Sequence, residues 1–521
     1  MKKTICVTMN RQTDNFHEES FVVPHALNTI YIKVNLPEEC RYMSFLFLQD
    51  ETGTIRLQKL LGYGEQNLAV GTDGEHTSIG GVAGHIGPGE WKLGIGIFTE
   101  YVCQRLGEKE AVLQITLTDE AGEITEPIGN WTWMGEGLRI SPEKYQWDKQ
   151  YQTGAKWYKG DFHTHTRLSD GKETVKNAMK KAKDMEMDFY VPTEHNLMHT
   201  GWCDTELCIL PGIEITTDMG HFNLFGITEM PEKLLELVRY NGKPQMEQYV
   251  EETIQEANRK GWIVSLNHPF LTIWKWQYGK TALTDFQCVE IINDPTYQDA
   301  PTSNDKAIRF LDALWEDGHR IWGVGGSDAH NLIEERYEGA DLPSIAGDPG
   351  TYVFCDTLSP KALMEQVKKG HMCVTRFCRI LPEIIIDGKE YLPGEEFSVS
   401  EQEESTQVPQ GTKDSGTEEN VQVLQETEIL YGAEISGLEE EPEVFVVKNG
   451  QRYLAKVFVN EAGNYCIREL VRPDRQEWNW FRLEVRKKNG DFLGYVNPVF
   501  CGHPKSHCKT VEEIWKLMGE Q

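Results

Sequence analysis

No apolar run in the 521 residues approaches the roughly 18–20 needed to cross a bilayer, and the mean hydropathy of -0.49 points the same way. A membrane protein is not expected. Met1-Lys2-Lys3-Thr4-Ile5-Cys6-Val7 has the basic start of a secretory leader, but Asn10, Arg11, Gln12, Thr13 and Asp14 interrupt any apolar stretch. A cytoplasmic location is expected. Basic residues are also in short supply: 52 Lys and Arg face 82 Asp and Glu, for a formal net charge of -30. General nucleic-acid binding needs cations to neutralise phosphates, so short oligonucleotides are the most this chain should take. A small anionic substrate is still compatible, because bound metal ions dominate the field of their own site.

Other signatures are missing. The 12 cysteines include no Cys-x-x-Cys pair, and even the neighbours Cys203 and Cys208 read as buried reduced thiols. No phosphate-binding loop ends in Gly-Lys-Ser or Gly-Lys-Thr. Gly323-Val324-Gly325-Gly326-Ser327-Asp328 lacks the third glycine of a dinucleotide fingerprint, and Gly325-Gly326-Ser327-Asp328-Ala329 ends in Ala where a nucleophile elbow has Gly.

What is present is an ordinary soluble composition, 39% hydrophobic and 26% charged, over a length that suggests about three domains. Residues 1–150 read as short strands between Gly, Pro and Asn clusters, such as Thr29-Ile30-Tyr31-Ile32-Lys33-Val34 and Met43-Ser44-Phe45-Leu46-Phe47-Leu48. That pattern predicts a β-sandwich-like domain. It suggests no chemistry, and His76 and His85 read as surface-loop residues.

Over 157–378 short apolar strands alternate with amphipathic helices. Val175, Ala178, Met179, Ala182 and Met185 keep helical spacing, as do Met246, Tyr249, Val250, Ile254 and Ala257, and Ile308, Leu311, Leu314 and Trp315. Ser359, Pro360 and Gly370 mark the cap, first turn and end of a further helix. Such alternation builds an α/β fold around a parallel sheet, closed or open. Residues 380–521 turn β-rich again. They are split at about 401–443 by a segment dense in Glu, Gln, Ser, Thr and Gly that offers little apolar surface to offset ordering entropy, and most of it is expected to be a disordered or variable insertion.

The central region carries the chemistry. Asp161-Phe162-His163-Thr164-His165 puts two histidines at i and i+2, on one face of a strand, with Ser169-Asp170-Gly171 following in a turn. Glu194-His195-Asn196 comes directly after an apolar strand. Glu214 sits among apolar neighbours in Gly212-Ile213-Glu214-Ile215, where an unpaired carboxylate would cost several kcal/mol and a metal would satisfy it. His221, His268-Pro269 and Ser327-Asp328-Ala329-His330 follow, the last repeating the i, i+2 spacing behind glycines that allow close backbone approach. In an α/β barrel all of these fall on the rim where active sites assemble. His199, His319, His371, His503 and His507 match no such position and read as surface or packing residues.

This set of motifs resembles the PHP family, the polymerase and histidinol phosphatase type, and within it the metallohydrolase branch similar to CehA and McbA. The likeness is specific over about residues 158–377 and loose in the β-rich flanks. It implies a distorted (β/α)7 TIM-like barrel with two or three divalent ions at its rim. By the resemblance His163, His165, Glu214 and Asp328 hold the first ion, and Glu214 bridges to a second held by His221 and His268. Asp170, His195 and His330 hold the third. Asp170 stands where many members have His, and Glu194 where Asp is common before the motif histidine.

Imidazole and carboxylate donors without thiolate suit Zn, Mn or Fe. The expected reaction is hydrolysis of a phosphomonoester or phosphodiester of a small molecule by metal-activated water. Asp161 and Glu290 are expected to orient ligands, and Asn293 and Arg167 to contact substrate. Two alternatives stand beside it: a carbamate, ester or amide hydrolase on the same ions, and a metal-stabilised binding module without catalysis. The sequence names no partner for the β-rich regions.

Overall fold

The computed structural model of the chain describes residues 1–62, 65–135, 137–398, 427–475 and 478–520. It is a mixed α/β, strand-rich fold with several sheets. All twelve cysteines, Cys203 and Cys208 included, are free thiols. Among the described residues no helix is long and apolar enough to cross a membrane.

The first 118 residues supply two four-stranded sheets. One runs Lys2–Met9, Ala111–Thr118, Thr29–Asn35, Glu65–Gly71; the other runs Phe16–Val23, Gly89–Ile97, Ser44–Gln49, Ile55–Leu60. Alternation does the sorting. Ile5, Val7 and Met9 on one strand and Leu113, Ile115 and Leu117 on its neighbour point into a shared core that also takes Leu46, Leu48 and Trp91 from the second sheet. The strand Ser44–Gln49 has almost no polar alternation, and the structure gives the reason. Its odd residues Phe45 and Phe47 leave the sandwich and join the core of the central region.

The central region departs from expectation in one respect. The resemblance implies a closed seven-stranded barrel, whereas the described strands form two open sheets. A five-stranded sheet holds Gly212–Thr217, Gly220–Phe225, Ile263–Leu266, Cys288–Asn293 and Trp322–Gly326, with the first two strands an antiparallel hairpin. A nine-stranded sheet holds Gln152–Thr164 beside Phe189–Pro192. The two sheets touch through single bridges, His195 to Glu214 and Thr164 to Ala329. A continuous ladder cannot form there because residues 152–160 of the long strand already pair with Gly350–Leu358, leaving only its end free.

The helices form where the spacing predicts them. Val175–Asp184 starts at Thr174, whose side chain accepts from the Asn177 N–H, and Met246–Lys260 ends at Gly261 in the left-handed region. Ser359 caps Pro360–Lys369, which ends at Gly370. Ala300–Glu316 lays Ile308, Leu311, Leu314 and Trp315 into the core.

The nine-stranded sheet continues past Met372–Thr375 into Phe492–Gly502, Trp478–Arg486, Glu443–Lys448 and Gln451–Leu454. Of the segment expected to be disordered at 401–443, residues 401–426 lie outside the described residues. In the remainder, Ile429–Ser436 is a strand between Arg379–Ile386 and Tyr465–Val471. Ile429, Tyr431, Ala433 and Ile435 alternate into its core, a period of two that the polar average over the whole segment concealed.

Candidate metal centre

The ends of these strands bring together all nine residues expected as ligands. His163 and His165 leave the Gln152–Thr164 strand fully buried. Nε2 of His163 lies 3.3 Å from Oε1 of Glu214 and 3.3 Å from Oδ1 of Asp328; Nε2 of His165 lies 3.0 Å from Oδ1 of Asp328. Glu214 is the hub. Its Oε1 is 3.0 Å from His221 Nδ1 and 3.6 Å from His268 Nε2, and its Oε2 is 2.6 Å from His195 Nδ1. Asp170 faces His330 Nε2 at 3.2 Å and His195 Nε2 at 3.4 Å.

Three overlapping groups have donor atoms within 4.8 Å of one another: His165, Asp170, His195 and His330; His163, His165 and Glu214; and Glu214, His221 and His268. His165 belongs to two of them, and Asp328 adjoins the first two through His163 and His165.

The side chains fit a cation better than they fit each other. Buried Nε2 of His163, Nε2 of His165, Nδ1 of His268, Oδ1 of Asp170 and Oδ1 of Asp328 have no hydrogen-bond partner, though buried polar atoms normally find one. Burial alone would raise the Glu214 carboxyl; the imidazoles of His195, His163 and His221 outweigh it and hold the group well below the ordinary carboxylate range. Asp328 is held down against burial by His163, His165 and His330. Burial, with His330 and His195 close by, pushes His165 down to about 4, whereas the carboxylates facing His163, His195 and His330 outweigh burial and push those imidazoles up.

The surrounding shell fixes these rings. Glu290 Oε1 sits 3.0 Å from Nδ1 of His163, and its Oε2 accepts from the His268 N–H and from Asn293 Nδ2. Asn293 Nδ2 also lies 3.3 Å from Asp328 Oδ2. Asp161 touches none of the ligand side chains through a hydrogen bond. It accepts instead from the backbone N–H groups of His163, Ser327 and Gly347, tying the two strand ends together. Gly326 makes room for protein rather than for a ligand: a Cβ there would meet His163 Cβ at 2.2 Å and Glu290 Oε1 at 2.4 Å. Asp328 and Asn196 hold left-handed backbone (φ 51° and 49°), an uncommon state for non-glycine residues that recurs at functional sites.

Two further residues stand apart from the ligand set. Arg167 does not reach the cluster; its guanidinium is exposed, with Nε on the Lys172 carbonyl and Nη1 near Glu126. Of the two readings given to His199, surface or packing, the structure shows packing. It is buried with Nε2 2.7 Å from Glu194 Oε1. Glu194 also accepts from the N–H and hydroxyl groups of Thr166 and Ser169, which pins the turn that delivers Asp170.

The region that suggested no chemistry reaches the site too. Gln58 donates to the Met198 carbonyl at 2.7 Å and accepts its N–H at 3.2 Å, while Lys59 Nζ and the Leu60 N–H both donate to the Leu168 carbonyl. A cavity of about 390 Å³ opens beside the cluster, lined by Asp170, His195, His221, His268, Asp328 and His330 on the central side and, from the N-terminal region, by Tyr42 in a turn and Phe98, Tyr101 and Arg105 at and in the helix Thr99–Leu106. Asp294, absent from the sequence reading, also lines it; burial pushes its carboxyl up to about 6 and Tyr337 donates to it at 2.6 Å. The one signal that could have pointed to this contact is the unbroken apolar strand Ser44–Gln49.

The fold and site define a strand-rich α/β protein with a buried His, Asp and Glu cluster able to hold divalent metal. No family model and no curated protein matches the chain. Among the solved structures that match is a candidate metal-dependent phosphoesterase from Bifidobacterium adolescentis ATCC 15703, at 15% identity and a TM-score of 0.24, covering 35% of this chain and 92% of that one. A likeness of that size defines neither the fold nor the activity of this chain.

Proposed function

We propose that the protein is a metal-dependent hydrolase that cleaves a phosphomonoester or phosphodiester of a small molecule. The observation that carries the reading is the convergence of buried imidazole and carboxylate atoms that have no hydrogen-bond partner on one another. His163, His165, Glu214 and Asp328 would hold one ion, Glu214, His221 and His268 a second, and Asp170, His195 and His330 a third. The donor set admits Zn, Mn or Fe. Such ions polarise a phosphoryl oxygen and lower the pKa of water, which suits ester hydrolysis. The motif residues support placing the chain beside the PHP type, near CehA and McbA.

The chain's own residues have distinct tasks. Glu290 takes the Nδ1 side of His163 and so turns Nε2 toward the cluster. Asn293 steadies Asp328 through its amide. Asp161 holds the strand ends that carry His163 and Asp328 at a fixed separation.

Cleavage of a carbamate or carboxylic ester is the second reading, favoured by the scarcity of cations in the cavity, where Arg105 is the one Lys or Arg among the described lining residues. Protein stripped with a chelator and reloaded with Mn or Zn should hydrolyse nitrophenyl phosphate or its diester. Folded, metal-loaded protein that leaves both intact while cleaving an aryl carbamate would shift the assignment to the second reading, and inertness toward all three would end the hydrolase reading. A binding module without catalysis would show Asp328→Ala lowering thermal stability with no turnover to lose.

A further inference from the structure

The cavity beside the cluster is unlike a site for polyanions. Seven of its described lining residues are aromatic, drawn from both the N-terminal region and the central region. Trp274, Tyr297 and Tyr337 form a row, each ring meeting the next edge to face at 5.9 and 5.3 Å. The Tyr337 hydroxyl is taken by Asp294. Phe98 and Tyr101 line the same space from the N-terminal side.

Its charge is the second observation. Outside the candidate metal ligands, Asp218 and Asp294 face the cavity, against the single guanidinium of Arg105. Nη1 of Arg105 is already committed to the Arg41 and Glu39 carbonyls, at 2.7 and 3.4 Å. A nucleoside polyphosphate or oligonucleotide brings several phosphates and needs cationic side chains to receive them. One phosphate on the cluster is the most this surface can receive, and the rest of the substrate must be uncharged. A volume of about 390 Å³ lies in the range of small-ligand sites, whose walls are mostly apolar and aromatic.

We infer that the substrate is a phosphate ester of a compact, uncharged, ring-bearing alcohol or phenol, its ring held among Trp274, Tyr297, Tyr101 and Phe98 while its phosphoryl group meets the histidine cluster. This rests on the hydrolase reading and narrows it. The ring wall is built jointly by two distant stretches of chain, so the N-terminal region sets specificity.

The test uses the full chain loaded with Mn and two stable phosphonates, phenylphosphonate and methylphosphonate, titrated by calorimetry. Phenylphosphonate should bind at least about tenfold more tightly, the gain of one buried ring with edge-to-face partners. Trp274→Ala should remove most of that gap and leave methylphosphonate affinity unchanged; Tyr101→Ala, on the other chain region, should do the same by a separate route. Equal affinity for the two phosphonates, or variants that weaken both equally, overturns the ring assignment. In parallel, kcat/KM is measured for phenyl phosphate, glycerol phosphate and a nucleoside diphosphate. Preference for either of the last two also overturns the ring assignment while keeping the hydrolase. Ring-selective phosphonate binding with no turnover of any of these phosphate esters supports the pocket and overturns the phosphoesterase reading alone.

Discussion

Oε1 of Glu290 lies 3.0 Å from Nδ1 of His163, and the other oxygen of the same carboxylate receives the backbone N–H of His268. One side chain thus sets the ring orientation of one candidate ligand and the backbone position of another. Glu290→Gln should weaken metal binding by about ten- to a hundredfold, the range found when such a carboxylate behind a ligating histidine is lost. Competition with a fluorescent chelator measures it; unchanged affinity would mean that Glu290 does not orient His163.

Metal should stabilise the fold, because the unfolded chain has no preformed site. At a free ion concentration about a hundred times Kd the gain is about 2.7 kcal/mol. Melting with and without chelator should show the metal-loaded form higher, and Asp328→Ala should shrink that difference. Identical melting curves for the two forms would contradict a metal centre.

Gln58 is buried and makes a reciprocal pair of bonds with the Met198 backbone, close to the turn that leads from His195. Gln58→Ala strands a buried donor and acceptor and should cost about 1–3 kcal/mol in a denaturant titration. The same variant should bind fewer ions, with the loss at the group of Asp170, His195 and His330. Full stoichiometry at reduced stability would confine Gln58 to a packing role.

A buried ion network should govern acid stability. Glu484 is enclosed by Arg482, Arg486 and Arg452, with Asp312 and Asp305 on the far sides of the first two arginines. Burial would raise its carboxyl, but Arg482, Arg486 and Arg452 outweigh it and hold the group down at about 2, against 4.5 for the free group. A carboxyl lowered in the folded state stabilises above its unfolded value, and that stability is lost as pH falls from about 4.5 toward 2. Urea midpoints taken from pH 5 down to 3 should therefore fall less steeply for Glu484→Gln than for the parent, although the variant starts lower. Parallel slopes would count against the network.

Arg167 gives a negative control. Its exposed guanidinium points to Lys172 and Glu126 rather than into the cavity. Arg167→Ala should leave both kcat/KM and phosphonate affinity within about twofold, as surface substitutions usually do. A large loss would mean that this side chain turns inward when substrate arrives.

The ligand set was legible because its constraints are local. Two histidines at i and i+2 share a face on a strand, and a carboxylate flanked by Ile213 and Ile215 needs a partner once that stretch is buried. Where Arg167 lies was not legible for the converse reason: it is near the motif in sequence, but its guanidinium sits on the Lys172 carbonyl and near Glu126. His199 shows the same limit, since nothing in its spacing reveals that Glu194, five residues earlier, curls back to meet it.

The amino-acid order alone determined which residue types are available for cations, the helices with their caps, and the alternation that builds the N-terminal sheets, because each depends on neighbours within a few positions. Tertiary structure alone decided that the central strands stay in two open sheets, that Ile429–Ser436 joins a core, and that Phe98 and Tyr101 stand beside the histidines. Those outcomes depend on which sheet edge is already paired and which distant surfaces dock. Such contacts span a hundred residues or more in Gln58 and Met198, and they leave no period in the sequence.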